Sequence, residues 1–163
     1  MDTFEVLHKR RSVRAYTGES IPRNDLETIV DAGRMAASGS NLQPWVFIVV
    51  TEKEMISKLC LAAAWMDKAA AIIAVVMDPS SRWWLEDGSA AVQNMQIAAT
   101  ALGYGSCWLE GRTRAHEGEL KDYLGIPEEK RLMTLLPVGV PVEWPEKEKK
   151  ALVDVMRWEK YAE

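Results

Sequence analysis

Two unbroken apolar runs, Trp45–Val50 and Ala71–Met77, stand out in a chain whose apolar residues otherwise recur every three or four positions. Each run is bounded by turn or charged residues and has the length of a strand, and continuous apolarity is what a strand covered on both faces requires. The spacing predicts helices around them. Residues 2–9 form a short first helix, and Ser12–Gly18 follows as an extended turn. Pro22 suits a helix first turn, where its missing N–H costs nothing, and Leu26, Ile29, Val30, Gly33 and Ala37 then share one face. That helix runs into the polar cluster Ser38–Asn41, and Pro44 prevents it from resuming.

Further on, Met55, Ile56 and Leu59 mark a helix between the two apolar runs. Asp87–Leu102 is the longest helical stretch, with Val92, Met95, Ala99 and Leu102 on one stripe and a stop at Gly103. A short strand over Gly105–Leu109 follows, then a helix through Leu120, Tyr123 and Leu124 that ends at Gly125 before Pro127. Leu132–Val140 reads as the last long strand, and the tail beyond Trp144 alternates charge with Leu152, Val153 and Met156 at helical spacing. Strands alternating with helices suggest a sheet layered between helices, and 163 residues suit a single domain over residues 1–163.

Composition narrows the class. With 48% hydrophobic and 27% charged residues the chain belongs with soluble globular proteins, and its net charge of −4 as a whole repels phosphate backbones and anionic membranes. No nucleic-acid or membrane partner is expected. The one stretch resembling a membrane span, residues 59–77, has Asp67 and Lys68 at its centre, which insertion does not tolerate. The opening MDTFEVLHKRR lacks the apolar segment of an export signal, and Cys60 and Cys107 are isolated, so the cytoplasm is the expected compartment.

Metal and hydrolytic chemistry find no footing. His116-Glu117 lacks the second His of HExxH, and His8 has no ligand at a useful spacing. No GxSxG elbow or GxxxxGK[ST] loop occurs, and Gly103-Tyr104-Gly105 precedes a strand where a dinucleotide fingerprint would follow one. What remains is His8-Lys9-Arg10-Arg11-Ser12-Val13-Arg14, four formal positive charges with no acid in an acidic chain. Two readings are open: a solvated helix end whose cations complement the helix dipole, or a phosphate site in which Arg forks and a Ser hydroxyl converge.

The order of motifs is more specific than any one of them. Arg10-Arg11-Ser12-Val13-Arg14-Ala15-Tyr16, then Ser38-Gly39-Ser40-Asn41-Leu42-Gln43-Pro44-Trp45 through Val50, then Glu86–Asn94, Ala101–Trp108, Leu136–Pro141 and the tail Glu146–Lys160 resemble, in that order, the FMN-dependent nitroreductase family. The resemblance implies an α+β fold, a three-layer α/β/α sandwich, with FMN at the interface of a homodimer. It implies flavin contacts from Arg10, Arg11, Ser12 and Arg14, with Arg10 and Ser12 at the phosphate and ribityl end. Arg14 would lie near N1 and O2 of the ring, where a fixed cation stabilises the reduced flavin.

By the same resemblance Ala37, Ser38, Gly39 and Asn41 belong to a loop that crosses to the partner's flavin, the family often having Pro where Ala37 stands. Glu110 and Gly111 match a pair beside flavin N5, and Lys147 and Lys149 match basic residues that clamp the phosphate, where the family more often has Arg. The implied activity is ping-pong transfer of hydride from NAD(P)H through flavin N5 to a small acceptor such as a nitroaromatic, quinone or enone, with no side chain acting as nucleophile. Trp83, Trp84 and Trp108 could line the flavin face or pack in the core. The alternatives are a specialised flavin enzyme of the same fold and a flavin-binding module without turnover. Larger relatives insert a helical excursion over the flavin, whereas here only PSSRWWLE separates Asp78 from Asp87.

Overall fold

The computed structural model describes residues 2–161. Its elements are helix α1 (Thr3–Lys9), α2 (Arg23–Arg34), strand β1 (Trp45–Val50), α3 (Lys53–Leu59), β2 (Ala71–Met77), α4 (Trp84–Ala101), β3 (Gly105–Ser106), α5 (Gly111–Ala115), α6 (Glu117–Leu124), β4 (Arg131–Gly139) and α7 (Leu152–Val155). Short 3₁₀ turns at Gly39–Asn41 and Ala64–Lys68 complete the list. The strands form one antiparallel sheet in the order β1-β2-β4-β3.

The sheet is the middle of three layers. Along β2, Ile72, Ala74 and Val76 join a cluster with Ile56, Leu59, Met66 and Leu120, on the side of α3 and α6. Ala71, Ile73, Val75 and Met77 point the other way, into a cluster with Leu26, Ile29, Val92, Met95 and Ala99 from α2 and α4. Alternate residues of one strand thus feed two separate apolar layers. A bulge opposite Val75 and Val76 adds one residue to β4, so Leu132 and Leu135, three apart, share one face while Met133 and Leu136 share the other.

Local chemistry explains the ends. Asp2 caps α1 by accepting from the Phe4 and Glu5 amides, and the Glu5 carboxylate accepts the Asp2 amide in return. Gly125 ends α6 at φ +63°, a left-handed conformation that a Cβ would penalise. α2 and α4 lie side by side, tied by Asn94 Nδ2 donating to Ala32 O at 3.1 Å and Tyr104 Oη donating to Asp25 Oδ2 at 2.5 Å.

Four expectations are corrected. Trp45–Val50 is not covered on both faces: it is an edge strand, and Val46 is 62% exposed. α2 stops at Arg34, leaving Ala37 outside the helix and exposed. The strand over Gly105–Leu109 shrinks to Gly105–Ser106 plus an isolated bridge from Leu109 to Leu135. α4 starts one turn early, at Trp84, because Trp83 and Trp84 pack against the body and extend its first turn. The α7 stretch amounts to one exposed turn. Among the described residues no helix is long and apolar enough to cross a membrane.

Candidate functional site

After α1 the chain turns and runs beside β3 and the end of β4. Ser12 bridges to Ser106, the Val13 amide donates to Ser106 O at 3.0 Å, and the Thr17 amide donates to Val140 O at 3.0 Å. Val13 and Tyr16 turn inward and are almost fully buried, so Ser12 and Arg14 turn outward. The inward fit depends on two glycines. A Cβ on Gly105 would stand 2.7 Å from Val13, and one on Gly139 would stand 2.7 Å from the Tyr16 ring. Tyr16 Oη lies within hydrogen-bond distance of Val13 O (2.9 Å) and Pro137 O (3.3 Å), and burial holds its pKa far above that of an ordinary phenol.

This anchoring gathers the basic residues. Burial pushes the Cys107 thiol up, while Arg14, a hydrogen bond with Ser12, and Arg10 act in the opposite direction. Arg14, Ser12 and Arg10 thus all act on one buried thiol, a connection the sequence did not signal. None of the ion pairs among the described residues involves Arg10, Arg11 or Arg14. Two buried polar atoms that flank Cys107 in sequence, Ser106 Oγ and Trp108 Nε1, have no partner among the described residues. Arginines without an ion-pair partner among the described residues, on a segment that also carries the Ser12 hydroxyl, have the donor chemistry to hold a phosphate-bearing ligand.

The remaining candidates separate. Arg11 donates to His8 O at 2.6 Å and Arg10 O at 3.1 Å, serving as a cap for α1, which matches the helix-end reading of the basic run. Lys147 joins His8, Lys9, Arg11 and Trp144 around a cleft of ≈ 590 Å³, with Lys9 Nζ 4.9 Å from the Trp144 ring centroid. Lys149 is exposed and outside that cleft. Glu110 and Gly111 lie on the same edge of the sheet as Ser12, because β3 faces Gly139 and Leu109 faces Leu135. Those register positions span about 13 Å of strand, enough for an elongated ligand. Glu110 itself is engaged by Arg114 at 2.5 Å.

Ala37, Ser38, Gly39 and Asn41 lie elsewhere. The Gly39 amide donates to Asp87 Oδ1 at 2.9 Å in the first turn of α4, and the Gln43 amide donates to Ser38 Oγ at 3.0 Å. Ser12 is anchored beyond the other end of α4, at Ser106. From Asp87 to Ala101 the helix spans roughly 20 Å. One chain therefore does not bring its two groups of candidates together.

The sequence pattern of the Nitroreductase family matches residues 7–65 and 57–140. The chain belongs to the nitroreductase family. Among its relatives, an Archaeoglobus fulgidus protein provisionally named NADH dehydrogenase/NAD(P)H nitroreductase is 37% identical over 153 residues, 86% of each chain. The FMN-dependent nitroreductase of Clostridium difficile R20291 superposes with a TM-score of 0.90 at 25% identity, over 97% of this chain and 99% of its own. A nitroreductase with bound FMN from Bacteroides fragilis NCTC 9343 gives 0.79 at 27% identity, over 93% and 95%.

In this nitroreductase-family chain the three tryptophans take distinct places. Trp83 packs on Gly39, Trp84 lies half-buried beneath Arg131, and Trp108 is half-buried against the α2 and α4 layer. The role of Asp87 was invisible beforehand, since an acid in a helix first turn is ordinary. A buried acid beside a glycine loop becomes legible only once the two segments meet.

Proposed function

We propose that the chain is an FMN-dependent oxidoreductase that transfers hydride from NAD(P)H to a small acceptor, working as a homodimer of one nitroreductase-like domain per chain. The observation that carries this is the Arg10–Arg14 segment, fixed beside β3 by the Ser12–Ser106 bridge and the Val13–Ser106 hydrogen bond, with arginines that have no ion-pair partner among the described residues of an acidic protein. Arg10 and Ser12 hold the phosphate and ribityl end of FMN, with Lys147 reinforcing the charge from the tail. Arg14 projects toward the ring, and Gly111 offers a backbone N–H at the far end of the same edge. Bound there, FMN would supply two-electron chemistry at N5 between a nicotinamide and a nitroaromatic, quinone or enone. The protein's own contribution is position, charge and exclusion of water.

The separation of the two residue groups supports the homodimer. Ser38, Gly39 and Asn41 sit roughly 20 Å from Ser12 along α4, so a site that uses both groups takes one from each of two copies. The exposed apolar flank of β1 gives a second copy something to cover.

Purified protein is expected to be yellow or to become so on incubation with FMN, and anaerobic NADH or NADPH is expected to bleach it. Protein that stays colourless after incubation overturns the reading. Arg14→Ala is expected to weaken FMN binding about tenfold, in line with a lost charge-assisted hydrogen bond, and to lower the bound flavin's reduction potential. Fluorescence titration and dye-coupled potentiometry read the two effects separately.

A further inference from the structure

Three of the four residues from Ser40 to Gln43 hold left-handed backbones without being glycine: Ser40 at φ 51°, Asn41 at 57° and Gln43 at 50°. Each such residue is strained, and a run of them persists only where the surroundings over-determine it. Two contacts from α4 do so. Asp87, 5% exposed, accepts the Gly39 amide on Oδ1 at 2.9 Å. The ring of Trp83, one turn earlier, lies flush on Gly39, where a Cβ would stand 2.4 Å from Cε3. Asp87 Oδ2 is buried and has no partner among the described residues. A carboxylate is a costly group to bury, and no ion pair among the described residues offsets this one. Its one visible return is the grip on Gly39.

We infer that Asp87 is a positioning residue, which, through the Gly39 amide and with Trp83 as a backstop, holds the Ser38–Asn41 loop in its strained form so that the loop serves the flavin site of the partner chain. The inference rests on the flavin reading above for its destination, and on this chain's geometry for the grip itself. Asp87 touches neither flavin nor substrate. Its effect passes through the shape of the loop. A carboxylate suits the task because a charged acceptor binds an amide about twice as strongly as a neutral one.

Two measurements test it. In the flavin-free protein, amide exchange at residues 39–43 is expected to speed up at least tenfold in Asp87→Ala while the β2 amides are unchanged. Asp87→Asn, which keeps an acceptor in place, is expected to stay nearer to wild type. Equal exchange in wild type and Asp87→Ala, with the fold intact, overturns the grip. If β2 exchange accelerates as well, Gly39→Ala, which drives a Cβ into Trp83 and leaves the buried acid in place, is expected to loosen the same loop alone. Failure of that variant to do so also overturns it.

The second measurement uses a dual-tagged heterodimer of one Asp87→Ala chain and one Arg14→Ala chain. One of its two sites combines an intact loop with an intact arginine, so it is expected to bind one FMN per dimer at wild-type affinity, while each variant homodimer binds at least tenfold more weakly. No recovered site means that Asp87 does not act across the interface. Wild-type protein that binds no FMN brings down the flavin reading itself, a result distinguishable from either failure above.

Discussion

β1 and β2 carry the same kind of sequence and meet opposite fates. Ala71–Met77 is buried at every position, between α2 and α4 on one face and α3 and α6 on the other. Trp45–Val50 is its direct neighbour, paired along its whole length, yet Val46 and Val49 are exposed and the strand's second edge has no partner among the described residues. Apolar hollows flank it on both sides. One of ≈ 1010 Å³ is lined by Leu26, Val30, Trp45, Phe47 and Val49, and another of ≈ 450 Å³ by Val46, Ile48 and Pro127. A run of apolar residues records that a surface will be covered. It does not record whether the cover comes from the same chain.

The sharpest way to break this comparison is to place the same charge in each strand. Ile73→Asp buries an unpaired carboxylate in β2, and it is expected to cost more than about 4 kcal/mol and leave little folded protein at room temperature. Val46→Asp, at a position already 62% exposed, is expected to change the folding of the chain itself by only about 0.5 kcal/mol. Urea unfolding followed by circular dichroism reads both. Equal losses would mean that β1 is as internal as β2.

Val46→Asp has a second, intermediate consequence. If a second copy covers β1, wild-type stability rises with protein concentration, because dimerisation draws on the folded state. In Val46→Asp that dependence is expected to vanish and the protein to sediment as a monomer. FMN affinity is expected to fall with it, since the Ser38–Asn41 loop would lose the site it serves.

The same distinction governs what was legible beforehand. The three layers, the Gly125 helix stop and the succession of motifs all follow from period, turn chemistry and order, which are local properties of a sequence. The basic Arg10–Arg14 run stands out in the sequence because its residues are chain neighbours. The edge position of β1 was not legible, since strand order depends on which distant segments pair, and an apolar run does not record that. Asp87 escaped for a related reason: its partner Gly39 is 48 residues away, and neither residue type signals the other. Nor did the pattern reveal that α2 would stop at Arg34, because Ala37 continues its apolar stripe although the chain has left the helix by Met35.

The mildest test compares two ion pairs, one at each end of the contrast. Glu117 binds Arg131 through both oxygens, at 2.8 and 2.7 Å, and accepts the Leu132 amide at 3.0 Å, clamping α6 to the start of β4 where it meets β2. Asp78 holds Lys130 at 2.7 Å on the rim of the hollow beside β1, with both side chains more than a third exposed. Hydrogen bonding to Arg131 holds the Glu117 carboxyl below the ordinary value of 4.5. A carboxyl lowered by folding stabilises the protein above its unfolded value and loses that contribution as pH falls through its folded value. Glu117→Gln is therefore expected to cost about 1 kcal/mol at pH 7, and the gap to wild type should close as pH drops below about 4. Asp78 is lowered too, chiefly by its hydrogen bond to Lys130, but water screens that pair, so Asp78→Asn should move the unfolding midpoint less at every pH. Should Asp78→Asn prove the more costly of the two, the rim of β1 would be shielded from water in solution, and the second copy would have to seat over Lys130.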